Sequence, residues 1–136
     1  MMKIAATIAR VLLGLLFTIF GANGFLHFIP MKAPEGLAGQ FMGSLFMSHY
    51  LVIVFAVQLA GGLLLLANRY VALALVLLGP VIVNILCFHL FLAPEGIPMA
   101  VFTALLWFVV FASVRSAFAG IFAQRAGDGA PANPKQ

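Results

Sequence analysis

The sequence predicts an all-α integral membrane protein, a bundle of four transmembrane helices with both termini on the cytoplasmic side. Hydrophobic residues fill 65 % of the 136 positions and charged residues only 7 %, against about 25 % charged in soluble domains. The mean hydropathy is +1.19. Four apolar stretches come close to or exceed the roughly 20 residues that cross a hydrocarbon core. The three acidic residues, Glu35, Glu95 and Asp128, fall in Gly- or Pro-rich segments outside those stretches. This composition excludes a water-soluble globule. The seven basic residues never cluster as a nucleic-acid surface requires, so nucleic acid is not an expected partner.

The first predicted helix spans 4–29, with Lys3 and Arg10 near its start and Pro30 closing it. Its apolar run is longer than a signal-peptide core, and no small-x-small cleavage site follows, so it reads as a membrane helix. An outer loop, 30–48, comes next. Its Leu37, Phe41, Leu45 and Phe46 recur at helical spacing, as in a short interfacial or re-entrant helix that is either a lid or a plain cover. The second helix spans 49–67, and Asn68-Arg69 then leaves room only for a tight turn with Asn as left-handed cap. The third spans 70–93, with a kink expected at Pro80, one turn before Asn84. The fourth spans 98–118 and opens on Pro98, a residue suited to the first helical turn. These elements make one transmembrane domain over 1–119. The Gly/Ala/Pro-rich segment 120–136 is expected to be a disordered cytoplasmic tail.

Orientation follows from the basic residues. With both termini inside, Lys3, Arg10, Arg69, Arg115, Arg125 and Lys135 are cytoplasmic and only Lys32 is outside, as the positive-inside rule requires. The expected location is a bacterial cytoplasmic (inner) membrane. The string Ala33-Pro34-Glu35-Gly36 recurs as Ala93-Pro94-Glu95-Gly96, each time after a helix carrying Asn and then His: Asn23 and His27, Asn84 and His89. Such a pair of halves would be a parallel two-helix repeat about an axis along the membrane normal.

Polar side chains inside a bilayer are costly and tend to face a bundle interior or a cavity. Here they are Asn23, His27, His49, Gln58, Asn84 and His89, all in the outer half or near the midplane. Gln58 shares its face with Gly61 and Gly62, which let a neighbouring helix approach closely. Three readings compete. The groups form interhelical hydrogen bonds and nothing more. Or imidazoles and amides bind the carbonyl oxygens of a quinone-like ring, with Phe25, Phe28, Phe88 and the mid-helix Trp107 as apolar walls. Or His27, His49 and His89 hold a metal or haem, although no local ligand motif is present. Cys87 is lone and has no basic neighbour on its face, so thiol chemistry is not expected. No carboxylate lies inside a helix, which excludes a small proton-coupled exporter. The only Asp is in the tail, which argues against a Ser-His-Asp hydrolase.

The stretch 9–17, ARVLLGLLF, continuing to Gly21-Ala22-Asn23-Gly24-Phe25-Leu26-His27-Phe28, resembles the opening of DoxX-family membrane proteins. The Gln58 to Gly62 run, Gln-x-x-Gly-Gly, and the turn at Arg69 fit the same pattern. The resemblance covers residues 4 to 118 and rests mostly on Gly and apolar positions. It implies four membrane helices and a role in a redox system, since the related DoxD proteins are described as subunits of a thiosulfate:quinone oxidoreductase. It supplies no catalytic residue. The expectation is therefore a small membrane subunit without independent catalysis that binds a quinone-like molecule and docks a membrane or peripheral redox protein. His27 and His89 would meet the ring oxygens, with Asn23, Asn84 and Gln58 orienting them and His49 and Trp107 beside them. The alternative is a non-catalytic scaffold or a small-solute permease subunit. Four helices enclose little volume, so a permeation path calls for a homodimer.

Overall fold

The computed structural model describes residues 2–127. Five α-helices follow one another: α1 (Met2–Leu26), α2 (Gly36–Met47), α3 (Tyr50–Ala67), α4 (Val71–Phe91) and α5 (Ile97–Val114). Single 3-10 turns at Pro94–Gly96 and Arg115–Phe118 bracket α5. No strand occurs among the described residues. Four segments are long and apolar enough to cross a membrane: α1, α3, α4 and the stretch Pro94–Phe118 built on α5. The chain is thus a multi-pass membrane protein in composition and helix length. Residues 120–127 are turns and bends on the surface, and 128–136, the rest of the expected tail, lie outside the described residues.

The helices end where local chemistry stops them. α1 was expected to reach Ile29 but closes at Leu26. His27 turns into the left-handed region at φ 52, and the Asn23 side-chain oxygen accepts the Ile29 N–H at 2.7 Å, folding the chain back on its own last turn. That return acts three residues before Pro30 does. α3 ends on a Schellman pattern, with Asn68 left-handed at φ 54, its N–H on the Leu65 carbonyl and the Arg69 N–H on that of Leu64. α4 stops at Phe91, not 93, and the α5 span begins with the turn at Pro94. Pro80 lies inside α4, which continues through it. It has no N–H to give to the Val76 carbonyl.

The long helices touch in the order α1, α3, α4, α5 and back to α1. Their shared core is Ala9, Leu13 and Phe17 of α1, Leu65 of α3, Ala74, Leu75, Leu78 and Ile82 of α4, and Leu106 and Val110 of α5. Most of these lie toward the end where the chain begins, with Phe17, Ile82 and Leu106 near the middle of their helices. α1 and α3 form the tightest pair. A Cβ on Gly62 would stand 2.6 Å from the Thr18 nitrogen, and one on Gly21 would stand 2.8 Å from that of Leu59. Backbone meets backbone here because glycine has no side chain to hold them apart. Arg10 adds a staple, its guanidinium donating to the Leu65 carbonyl at the end of α3.

Candidate functional site at the histidine end

At the end of the molecule opposite the core, the chain turns twice between long helices, once through 27–49 and once through 92–96. All three histidines sit there, but not together. His27 and His49 both line one cavity of about 330 Å³, with Gly24 of α1, Phe46 and Met47 of α2, and Leu51, Val52 and Phe55 of α3. It is a half-open groove and not an enclosed chamber, with Phe46 59 % and Met47 77 % exposed. Each imidazole is exposed rather than packed away. Each also hangs from a left-handed backbone, His27 at φ 52 and His49 at φ 64. Left-handed residues other than Gly are uncommon and cluster where function tolerates strain.

Local sequence explains the geometry. His27 is the residue at which α1 gives way, its N–H still reaching the Asn23 carbonyl at 2.9 Å. His49 is the two-way hinge between α2 and α3: its N–H donates to Phe46 and its carbonyl accepts from Val52. Gly24 allows the wall to close, because a Cβ there would collide with the Phe55 ring. Phe25 packs edge-on against Phe55 at 6.3 Å between centroids, backing the apolar wall. α2 covers this end. It buries only Ala38, sits on α3, and reaches across to α4 by the contact of Phe41 with Phe88 at 6.1 Å.

His89 stands apart, at the turn between α4 and α5. Its Nδ1 lies 3.1 Å from the Ala93 carbonyl, so that nitrogen carries the proton and donates. The ring packs on Gly96, where any Cβ would strike it, and meets Phe88 edge-on at 5.2 Å. It does not line the cavity of His27 and His49. The expected pairing of His27 with His89 is therefore replaced by His27 with His49. Phe28, Phe88 and Trp107, expected as walls, do not line that cavity either, and Phe25 only backs it.

The other polar residues divide by partner. Asn23 is buried and spends its amide on the returning chain, accepting from the Ile29 N–H at 2.7 Å and donating toward the Ile29 carbonyl at 3.4 Å. Asn84 is exposed on the outside of α4 and donates to its own helix at the Pro80 carbonyl, 2.8 Å away. Trp107 donates from its indole to the Leu75 carbonyl at 3.0 Å, one residue from the carbonyl that Pro80 leaves without a helical donor, and stacks on Phe111 at 5.3 Å. Gln58 is 8 % exposed and lies on the buried face of α3 with Gly61, Gly62 and Leu65. Thr103, unremarked in the sequence, is equally buried and satisfied by the Met99 carbonyl at 2.9 Å. Among the described residues no three His, Cys, Asp or Glu side chains stand close enough to hold a metal ion. Cys87 is exposed on α4.

Gly24, Phe46, Met47, Leu51, Val52 and Phe55 are the cavity residues that sequence reasoning left out of the site. Phe46 was visible in the apolar spacing of the outer loop, but its direction was not. Comparison with family models, curated proteins and solved structures finds no match to this chain.

Proposed function

We propose that the protein is a small multi-pass membrane subunit of a redox system, binding a quinone-like molecule in the His27–His49 cavity and docking a protein partner. The cavity carries this reading. A quinone offers a flat apolar ring with carbonyl oxygens at its edge. The cavity offers two imidazoles that can each donate an N–H to such an oxygen, together with Phe46, Phe55 and Met47 to hold the ring. The soft resemblance to the DoxX family points to the same class, and the chain supplies binding and orientation without catalysis of its own. His89, Asn23, Asn84 and Trp107 act structurally, because each bonds a backbone carbonyl or N–H of the protein. This favours the scaffold role for those four residues even while the cavity binds ligand.

The four long helices form a bundle with both termini cytoplasmic in a bacterial inner membrane, a reading supported by the six basic residues on one side against Lys32 on the other. The contact order α1, α3, α4, α5 sets α1 diagonal to α4 and α3 diagonal to α5. A parallel two-helix repeat would place its equivalent helices in that way, and the histidine cavity would then lie at the outer face. The test is binding of decylubiquinone to the purified protein in mild detergent. His27→Ala with His49→Ala should abolish it, and His89→Ala should leave it unchanged. Unaltered binding in the double variant would sink the cavity assignment.

A further inference from the structure

At the opposite end from the histidines a second crevice, of about 290 Å³, opens between the first turns of α1, the α3–α4 turn and the last turns of α5. Lys3, Thr7 and Arg10 line it from α1, Asn68 and Val71 from the turn and the start of α4, and Ser113 from α5. We propose that this crevice binds the phosphate of an anionic phospholipid, lodged between the helix ends at headgroup depth.

Charge and donor supply point the same way. The lining holds two cations, Lys3 and Arg10, and no carboxylate. Glu35 and Glu95 lie in the turns at the other end of the helices. The Thr7 and Ser113 hydroxyls are engaged, donating to the Lys3 carbonyl at 2.9 Å and the Val110 carbonyl at 2.6 Å. Arg10 gives one N–H to the Leu65 carbonyl and holds its guanidinium in place by doing so. A guanidinium carries five N–H donors, so donors remain for an anion. The α4 helix adds to the field. Its cap residue Tyr70 is left-handed and makes no side-chain cap, so the N–H groups of the first turn, beginning at Val71, have no capping oxygen. The α4 helix is 21 residues long, and its aligned dipole presents partial positive charge at that terminus.

The shape selects the ligand. The crevice sits at the ends of membrane-spanning helices, where lipid phosphates lie on either face of a bilayer. Basic pockets between such helices are recognised headgroup sites. Free inorganic phosphate has the same oxygen chemistry but no acyl chains to lie against the apolar residues that share the crevice lining, Ala6, Val71 and Val114.

The experiment is native mass spectrometry of the full chain in a neutral detergent, titrated in separate arms with dioleoyl-phosphatidylglycerol, dioleoyl-phosphatidylcholine and sodium phosphate. Phosphatidylglycerol should remain bound where phosphatidylcholine is lost. Lys3→Gln and Arg10→Gln should each weaken its retention by about fivefold, the effect of one basic side chain near a lipid surface. Lys32→Gln, at the far end, should change nothing. Arg10 also caps α3, so Lys3→Gln, whose side chain is exposed, keeps the test valid should Arg10→Gln fail to fold. Equal retention of the two lipids, or a Lys3→Gln protein that behaves as wild type, overturns the proposal. Displacement of phosphatidylglycerol by millimolar sodium phosphate overturns the choice of a lipid over the free anion. Neither result touches the histidine cavity, which lies at the other end.

Discussion

Between the end where the chain begins and the end where the histidines gather, the buried residues change in kind. Toward the first end large aliphatics dominate, Leu13, Leu65, Leu75, Leu78 and Val110 each at most 1 % exposed, beside the small Ala9, Gly14, Gly62 and Ala74. From mid-helix toward the second they are mostly small or polar, namely Gly21, Asn23, Ala38, Gln58, Ala93, Ala100 and Thr103, with Leu51 and Ile82 the large aliphatics among them. Lipid is as apolar as leucine, so helices in a membrane gain from close packing more than from burial itself. The aliphatic end carries the basic crevice at its rim. The small and polar end leaves a cavity that α2 roofs with Phe46 and Met47. One half supplies most of the buried aliphatic core, and the other holds the histidine cavity.

If that division holds, truncation should cost most in the aliphatic half. Leu78→Ala, which removes a fully buried side chain packed against Gly61, should destabilise by about 2–5 kcal/mol, read from thermal or denaturant unfolding in detergent. Asn23→Ala comes next. It strips the Ile29 N–H of its acceptor and should cost about 1–3 kcal/mol, the penalty of an orphaned polar group. Proteolysis of the 27–35 loop should quicken in the same variant. Trp107→Phe keeps the aromatic packing on Phe111 but loses the bond to Leu75. An average interhelical contact in a membrane is worth about 0.6 kcal/mol, so a small drop in melting temperature is expected. Phe46→Ala, at 59 % exposure, should move stability by no more than about 0.5 kcal/mol and yet weaken decylubiquinone binding. A loss as large as that of Leu78→Ala would break the contrast between the halves.

The histidines sharpen it further. His27→Gly and His49→Gly place glycine at two left-handed positions, where an ordinary side chain costs roughly 1–2 kcal/mol. Each should be neutral or up to about 1 kcal/mol more stable, glycine's own entropy offsetting part of the relief. Each should also lose ligand. A rise in melting temperature together with lost binding is the signature of strain kept for function. A matched fall in both would make these histidines structural.

Much of the architecture could be read along the chain. The four apolar runs are long enough that no other element accommodates them, and Asn68-Arg69 is too short for anything but a turn. The site was less legible, for reasons visible in single residues. Asn23 looked like a ligand because a buried amide in a membrane needs a partner. Its partner is Ile29, six residues on, and nothing in the local spacing announces that return. His27 and His89 looked like a pair because the two Ala-Pro-Glu-Gly strings suggested equivalent places. His89 instead closes its own turn on Ala93, and His27 finds His49 because α1 and α3 are the helices joined backbone to backbone through Gly14, Gly21 and Gly62.

Composition and hydropathy settle the solvent of this protein, the number of its membrane helices and where they turn, because those depend on transfer free energies that each residue contributes independently. Which polar groups meet depends on something that is not additive along the chain. Neighbour relations among helices arise from the fit of small residues at their contacts. A histidine is left facing a cavity, or bonded to a carbonyl, according to which helix stands beside it.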